Sequence, residues 1–201
     1  MKRRTVPLKR AFSLSVLALS LFCLGCSDVY LSNPLDSIRV DQIAGRWADA
    51  DGKPYLIIER GSGNTYNSWT PEDYNARKDP SEFFVAQTGG MLFVEQHANC
   101  TGHKFPEPDL TKSPSGCWSL RRIVLSETTL DYYDLDAMTI VRQSVGGTLA
   151  VANSYGVTVA KPGESPSAEV LLQGTPGELS SFLATFGQGS IYSAPTKLHR
   201  I

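Results

Sequence analysis

The stretch Glu82–Gln96, EFFVAQTGGMLFVEQ, decides the fold class. Glu82–Gln87 and Met91–Gln96 are rich in the aromatic and branched residues that suit a pleated surface. Thr88-Gly89-Gly90 stands between them, and glycine readily takes the positive φ of a tight hairpin turn. The pattern predicts an antiparallel hairpin. A second unit of the same form lies downstream, where Trp118–Leu125 (WSLRRIVL) and Thr129–Leu135 (TLDYYDL) flank Ser126-Glu127-Thr128. In its second arm Leu130, Tyr132 and Asp134 share one face, and Asp131, Tyr133 and Leu135 share the other.

Working outward, the upstream chain offers Ile43-Ala-Gly45-Arg46-Trp47, an acidic turn Asp49-Ala-Asp51-Gly52, and the apolar run Tyr55–Ile58. Asp51-Gly52 is a turn signal, and the acidic residues around it are too few for a calcium loop. Residues 61–81 and 97–117 read as two long polar loops, the first beginning with Gly61-Ser-Gly-Asn64. Downstream, Thr148–Ala152, Gly156–Ala160 and Ala168–Gln173 are strand candidates, with a loop at 161–167. Thr175-Pro176-Gly177-Glu178 is a capping box with proline at the first helical position. Leu179, Phe182, Leu183 and Phe186 follow at i, i+3, i+4 and i+7, so a helix is predicted, ending at Gly187. Ala194–Ile201 returns as a short final strand. Seven or eight short strands and one late helix describe a mainly β chain folded as an antiparallel barrel or sandwich.

Gly45-Arg46-Trp47 resembles the Gly-x-Trp of the first strand of lipocalins, and the late helix is similar to the one packed outside their barrel. The resemblance implies a lipocalin-like antiparallel β-barrel over residues 41–201 with one C-terminal helix outside it. It implies that Gly45 and Trp47 close one end, with an arginine lying across the tryptophan. Arg121, Arg122 and Arg200 are the candidates for that arginine. It also implies an interior in which Phe84, Phe93 and Tyr132 line a cavity for a small apolar ligand or lipid.

The N-terminus has the form of an export signal. Lys2, Arg3, Arg4, Lys9 and Arg10 precede an apolar run from Ala11 to Leu24, which is short for a membrane span. Cys23-Leu24-Gly25-Cys26 resembles the lipobox of bacterial lipoproteins. That resemblance implies a signal peptide over residues 1–25, removed by cleavage, and fatty-acyl chains such as palmitate on Cys26. Ser27, rather than an aspartate, then implies sorting to the outer membrane, facing the periplasm. Residues 26–40 read as the tether between lipid and domain.

Without residues 1–25 the chain holds 14 basic against 20 acidic residues, a net charge of −6. An acidic chain without a basic run argues against nucleic acid as a partner. Two cysteines then remain beyond Cys26, Cys100 and Cys117, and exported compartments permit disulfides. A Cys100–Cys117 bridge is the leading reading. A zinc site of His97, Cys100, His103 and Cys117 is its rival, and free thiols are the third reading.

Chemistry-bearing patterns are sparse. There are three histidines, no Gly-x-Ser-x-Gly elbow, no phosphate loop and no dinucleotide fingerprint. Asp131, Asp134 and Asp136 lie close in sequence, but strand alternation sends them to different faces. No catalytic residue, metal site or cofactor is assigned. Two functions remain: a lipid-anchored barrel that binds an apolar ligand, or an envelope interaction protein that meets another protein through its long loops.

Overall fold

The computed structural model describes residues 29–98, 117–145, 153–158, 167–185 and 191–201. Strands β1 (Val29–Leu31) and β2 (Ser37–Ile38) lead to a 3-10 turn, Asp41–Ile43. Then follow β3 (Gly45–Ala48), β4 (Pro54–Arg60), β5 (Thr65–Trp69), helix α1 (Pro71–Asn75), β6 (Ser81–Thr88) and β7 (Met91–Ala98). The chain continues through β8 (Cys117–Leu125), β9 (Thr129–Asp134), α2 (Ala137–Val145), β10 (Asn153–Thr158), β11 (Ser167–Leu172), α3 (Pro176–Thr185) and β12 (Thr196–Arg200).

Strands β3 to β9 form an antiparallel meander, and β12 lies between β9 and β3. That insertion closes an eight-stranded barrel. Leu198 pairs with Leu130 on one side of β12, and Arg200 pairs with Trp47 on the other. The hairpin expected at 82–96 is β6–β7, with Thr88 opposite Met91. Gly89 and Gly90 take φ of 55° and 75° in its turn. A Cβ on Gly89 would stand 2.9 Å from the Ala184 Cα, so this turn is pressed against α3.

β8 forks the sheet. Its second half pairs with β9 inside the barrel, from Arg121↔Asp134 to Leu125↔Leu130. Its first half pairs with β1, at Tyr30↔Ser119 and Leu31↔Trp118. β1 runs parallel to β11, and β11 pairs antiparallel with β10, so three strands extend the wall outside the barrel.

Strand alternation sorts the apolar residues into two main cores. The interior core holds Ile43, Trp47, Leu56, Ile58, Tyr66, Phe83, Val85, Val94, Ile123, Leu130, Tyr132 and Leu198. The outer core lies between the wall and the added elements. Phe93, Met91, Ala86 and Leu120 meet Val29 and Leu31 of β1, Ile140 of α2, Val170 and Leu172 of β11, and Leu179, Phe182 and Leu183 of α3.

Several expectations change here. Residues 26–40 were expected to form a tether, yet Val29, Tyr30 and Leu31 are buried in the wall. Their backbone finds partners on both sides, and burying three apolar side chains offsets the loss of chain freedom. The 61–81 stretch is not a loop. TYNSW is β5, which pairs with Phe83 and Phe84 of β6, and Thr70 caps α1 by accepting from the Asp73 amide at 3.1 Å. The late helix begins as predicted: the Thr175 amide donates to Glu178 Oε2 at 2.7 Å, and the Glu178 amide donates to Thr175 Oγ1 at 3.3 Å. Phe186 and Gly187, expected at its end, lie outside the described residues, as do residues 1–28 and the strand candidate 148–152.

Candidate functional site

One end of the barrel is sealed. The 3-10 turn brings Ile43 beneath Trp47, whose indole Nε1 donates to the Ile43 carbonyl at 3.1 Å. Arg200 is the arginine that crosses the tryptophan, with its guanidinium carbon 4.4 Å from the ring centre. Its Nη1 donates to the Ala44 carbonyl and its Nε to the Glu127 carbonyl, both at 2.9 Å, and its Nη2 donates to the Gln42 carbonyl. One side chain therefore ties the 3-10 turn, the β8–β9 turn and β12 together. Gly45 makes room for it: a Cβ there would stand 2.5 Å from Nη1.

Above this seal the interior is filled. The Tyr66 and Phe83 rings stack with centroids 5.3 Å apart, and the Tyr66 hydroxyl accepts from the Val40 amide at 2.7 Å. Trp47, Phe83, Leu130 and Leu198 have no accessible surface. A water-sized void beside them would expose part of each, so these side chains pack against one another without one. Small barrels of about eight strands can be filled in this way.

The opposite end is polar. Arg121 and Asp134, cross-strand partners on β8 and β9, form an ion pair at 2.9 Å. The Arg121 side chain is 13% exposed and that of Asp134 is 48% exposed. Tyr132 lies deeper on the same face of β9, and Tyr55 stands at the start of β4. Burial raises both phenols above the ordinary tyrosine range, and the nearby Arg121 charge opposes the rise. Arg121, Asp134 and Tyr55 thus make a half-buried charged and phenolic rim above an apolar floor that includes Tyr132.

Of the cavity residues expected from the resemblance, Tyr132 is interior, but Phe84 and Phe93 are not. Phe83, Val85 and Val94 point inward, and the period of two sends their neighbours out. Phe93 belongs to the outer core. Phe84 packs edge-on to Trp118, with centroids 5.7 Å apart. The double phenylalanine hid this parity, because either residue suits an apolar face. Asp134 and Asp136 also part company: Asp136 accepts from the Thr139 amide at 3.1 Å and caps α2. Cys117 is fully buried beside Tyr30 and Leu171 and lies opposite Ala98. His97 is exposed, and its ring meets Trp118 edge-on at 5.3 Å. Cys26, Cys100 and His103 lie outside the described residues.

Sequence reasoning missed Glu95. It looks like a solvent-side residue of a strand, but it has no accessible surface. Both its carboxylate oxygens accept from the Leu35 amide, at 3.0 and 3.2 Å, where the segment after β1 crosses the wall. Burial pushes its pKa up to about 7; the Leu35 hydrogen bond opposes the rise and the Asp36 charge adds to it. Its signal would have been a partner 60 residues away, which no local pattern carries. Compared with family models, curated proteins and solved structures, the chain finds no match.

Proposed function

We propose that this chain is a lipid-anchored envelope protein of lipocalin-like type, acylated at Cys26, that works as a binding module rather than an enzyme. Its anchor places it on the outer membrane facing the periplasm. Its contact is with another envelope protein, made at the barrel end that carries Arg121, Asp134 and Tyr55. The observation that carries this reading is the filled interior: Trp47, Phe83, Leu130 and Leu198 occupy the space an apolar ligand would need. A half-exposed ion pair with phenolic neighbours is the kind of surface that gives specificity to a protein contact.

The lipocalin likeness is supported by Gly45, Trp47 and Arg200 acting as one unit at the sealed end. The Cys100–Cys117 bridge belongs to the same proposal. Cys117 is fully buried at the start of β8, and Cys100 is the one other cysteine left beyond Cys26 once residues 1–25 are removed. Non-reducing peptide mapping of exported protein should recover that pair. Two alkylated thiols would remove the bridge, and one equivalent of zinc would replace it by the His97, Cys100, His103 and Cys117 site.

The test of the function is site-specific photo-crosslinking in cells, with native mass spectrometry of the purified chain beside it. A crosslinker at the exposed Asp51, near the polar end, should capture a protein partner, and one at Glu127, near the seal, should not. A retained apolar lipid without cross-links would restore the ligand-binding reading. Cys26→Ser should move the protein out of the membrane fraction, and a mutant still labelled by a fatty-acid analogue would remove the anchor.

A further inference from the structure

Arg122 lies on the outer face of β8, away from the interior, with Phe93 of β7 and Tyr133 of β9 beside it in register. It is 6% exposed. Its guanidinium carbon stands 5.3 Å from the centre of the Tyr133 ring and 4.8 Å from that of Tyr192. The two rings meet at 74°, with centroids 6.5 Å apart, so they form two walls of a corner. Tyr192 is fixed there by a backbone bridge to Leu135, and its hydroxyl donates to Met91 Sδ at 3.7 Å.

Among the described residues the cation has walls but no counter-charge. Its Nε is buried and makes no hydrogen bond among the described residues. No carboxylate among the described residues forms an ion pair with it. Asp134 faces Arg121, and Asp136 caps α2. A buried charge is costly unless it is paired and hydrogen-bonded. Aromatic faces attract the charge but offer no acceptor in the plane of its N–H groups. That planar fork matches two oxygens of a carboxylate or phosphate.

We propose that Arg122, walled by Tyr133 and Tyr192, is a binding site for an oxyanion, a carboxylate or phosphate group held by the guanidinium edge. The site faces the outer core rather than the polar barrel end, and it stands whether or not that end binds a protein. The same chemistry serves a free anion or the head group of an amphiphile. Met91 and Phe93 next to the site are apolar surroundings for a chain attached to such a group.

The test is nuclear magnetic resonance of the ¹⁵N-labelled full chain in a neutral detergent. The Arg122 Nε–Hε signal is assigned by its loss in Arg122→Gln. Sodium phosphate and dodecyl phosphate are titrated separately at constant ionic strength. That signal and the backbone amides of Phe93 and Tyr133 beside it are expected to move saturably, and in Arg122→Gln, read from those amides, binding is expected to be at least tenfold weaker. Tyr192→Leu should weaken binding several-fold with Arg122 intact, which keeps the test decisive if Arg122→Gln fails to fold. Lys197→Gln, at an exposed position of β12, should bind as the unaltered chain does. Dodecyl phosphate binding tenfold tighter than phosphate identifies an amphiphile head group, and equal binding identifies a free anion. No saturable movement with either probe, or unchanged binding in Arg122→Gln, overturns the proposal.

Discussion

Gly45 and Arg200 act as one unit although 155 positions separate them in the chain. The Gly45 Cα lies so close to the guanidinium that a methyl group must displace it from the Gln42, Ala44 and Glu127 carbonyls. Hydrogen bonds from a charged donor are worth about 1.5–3 kcal/mol each. Gly45→Ala should therefore cost roughly 3 kcal/mol by denaturant unfolding. In an Arg200→Ala background the same change should cost far less, because the group it collides with is gone. Additive losses would show that backbone strain at Gly45, with φ of 153°, carries the effect instead. Glu95 makes the second prediction at this scale. Its folded pKa of about 7 lies above the ordinary value of 4.5. Between those pH values the folded chain holds a proton that the unfolded chain has released, so stability falls as pH rises through that window. The full span amounts to roughly 3 kcal/mol at 1.36 kcal/mol per unit. Asp36 is the charge that faces Glu95 across Leu35, and Phe84 and Leu120 flank it in register without charge. Glu95→Gln keeps an acceptor for the Leu35 amide and removes the ionisation. Its stability should be level between pH 5 and 8, and a slope equal to that of the unaltered chain would place the titration elsewhere.

Elements were legible where their signals are local. The β6–β7 hairpin, the β8–β9 hairpin, β4 and the start of α3 each carry turn glycines, alternation or a cap within a few residues. The capping box of α3 supports a prediction: Thr175→Ala removes the acceptor for the Glu178 amide and should cost about 1 kcal/mol in thermal unfolding. Loss well above that would mean that the contact of Gly89 and Thr88 with α3 depends on the cap, since Thr88 Oγ1 donates to the Ser180 carbonyl at 2.9 Å. What escaped the sequence was decided at a distance. β1 is three residues long, and its partners are residues 118–119 and 170–172, so no window of local pattern reveals it. β5 sets three polar residues among its two aromatics, and pairing between β4 and β6 makes TYNSW a strand. The site divides in the same way. Trp47 and its glycine were visible as a motif, but the choice of Arg200 over Arg121 and Arg122 needed the closure of the barrel. The inward face of β6 needed the sheet, because Phe83 and Phe84 are chemically alike.

At the scale of the molecule, closure depends on the last described strand. β12 supplies both ladders between β9 and β3, buries Leu198 in the interior and carries Arg200 to the seal. Without it β3 and β9 become open edges, and an unpaired edge both exposes backbone groups and invites association. The outer core does not supply the missing ladders, because most of its contacts lie on the wall around β6 to β8 and it reaches the gap only at Leu135 and Ile191, beyond the end of β9. Removal of residues 196–201 should therefore unfold the interior while the chain keeps part of its outer layer. Trp47 reports on this directly, since it has no accessible surface in the closed barrel. The truncated chain should show red-shifted tryptophan emission, broadened thermal unfolding, and lost amide protection in β3, β4 and β9 by hydrogen exchange, with protection in α3 and β7 less affected. Retained protection in β3 with unshifted emission would mean that the outer layer holds the wall in shape without the closing strand. The single change Leu198→Asp gives a milder form of the same experiment. It places a charge in the apolar interior while leaving the backbone of β12 intact. If closure by β12 organises the interior, both changes should erase the same protection pattern, and the substitution should do so without creating a free edge.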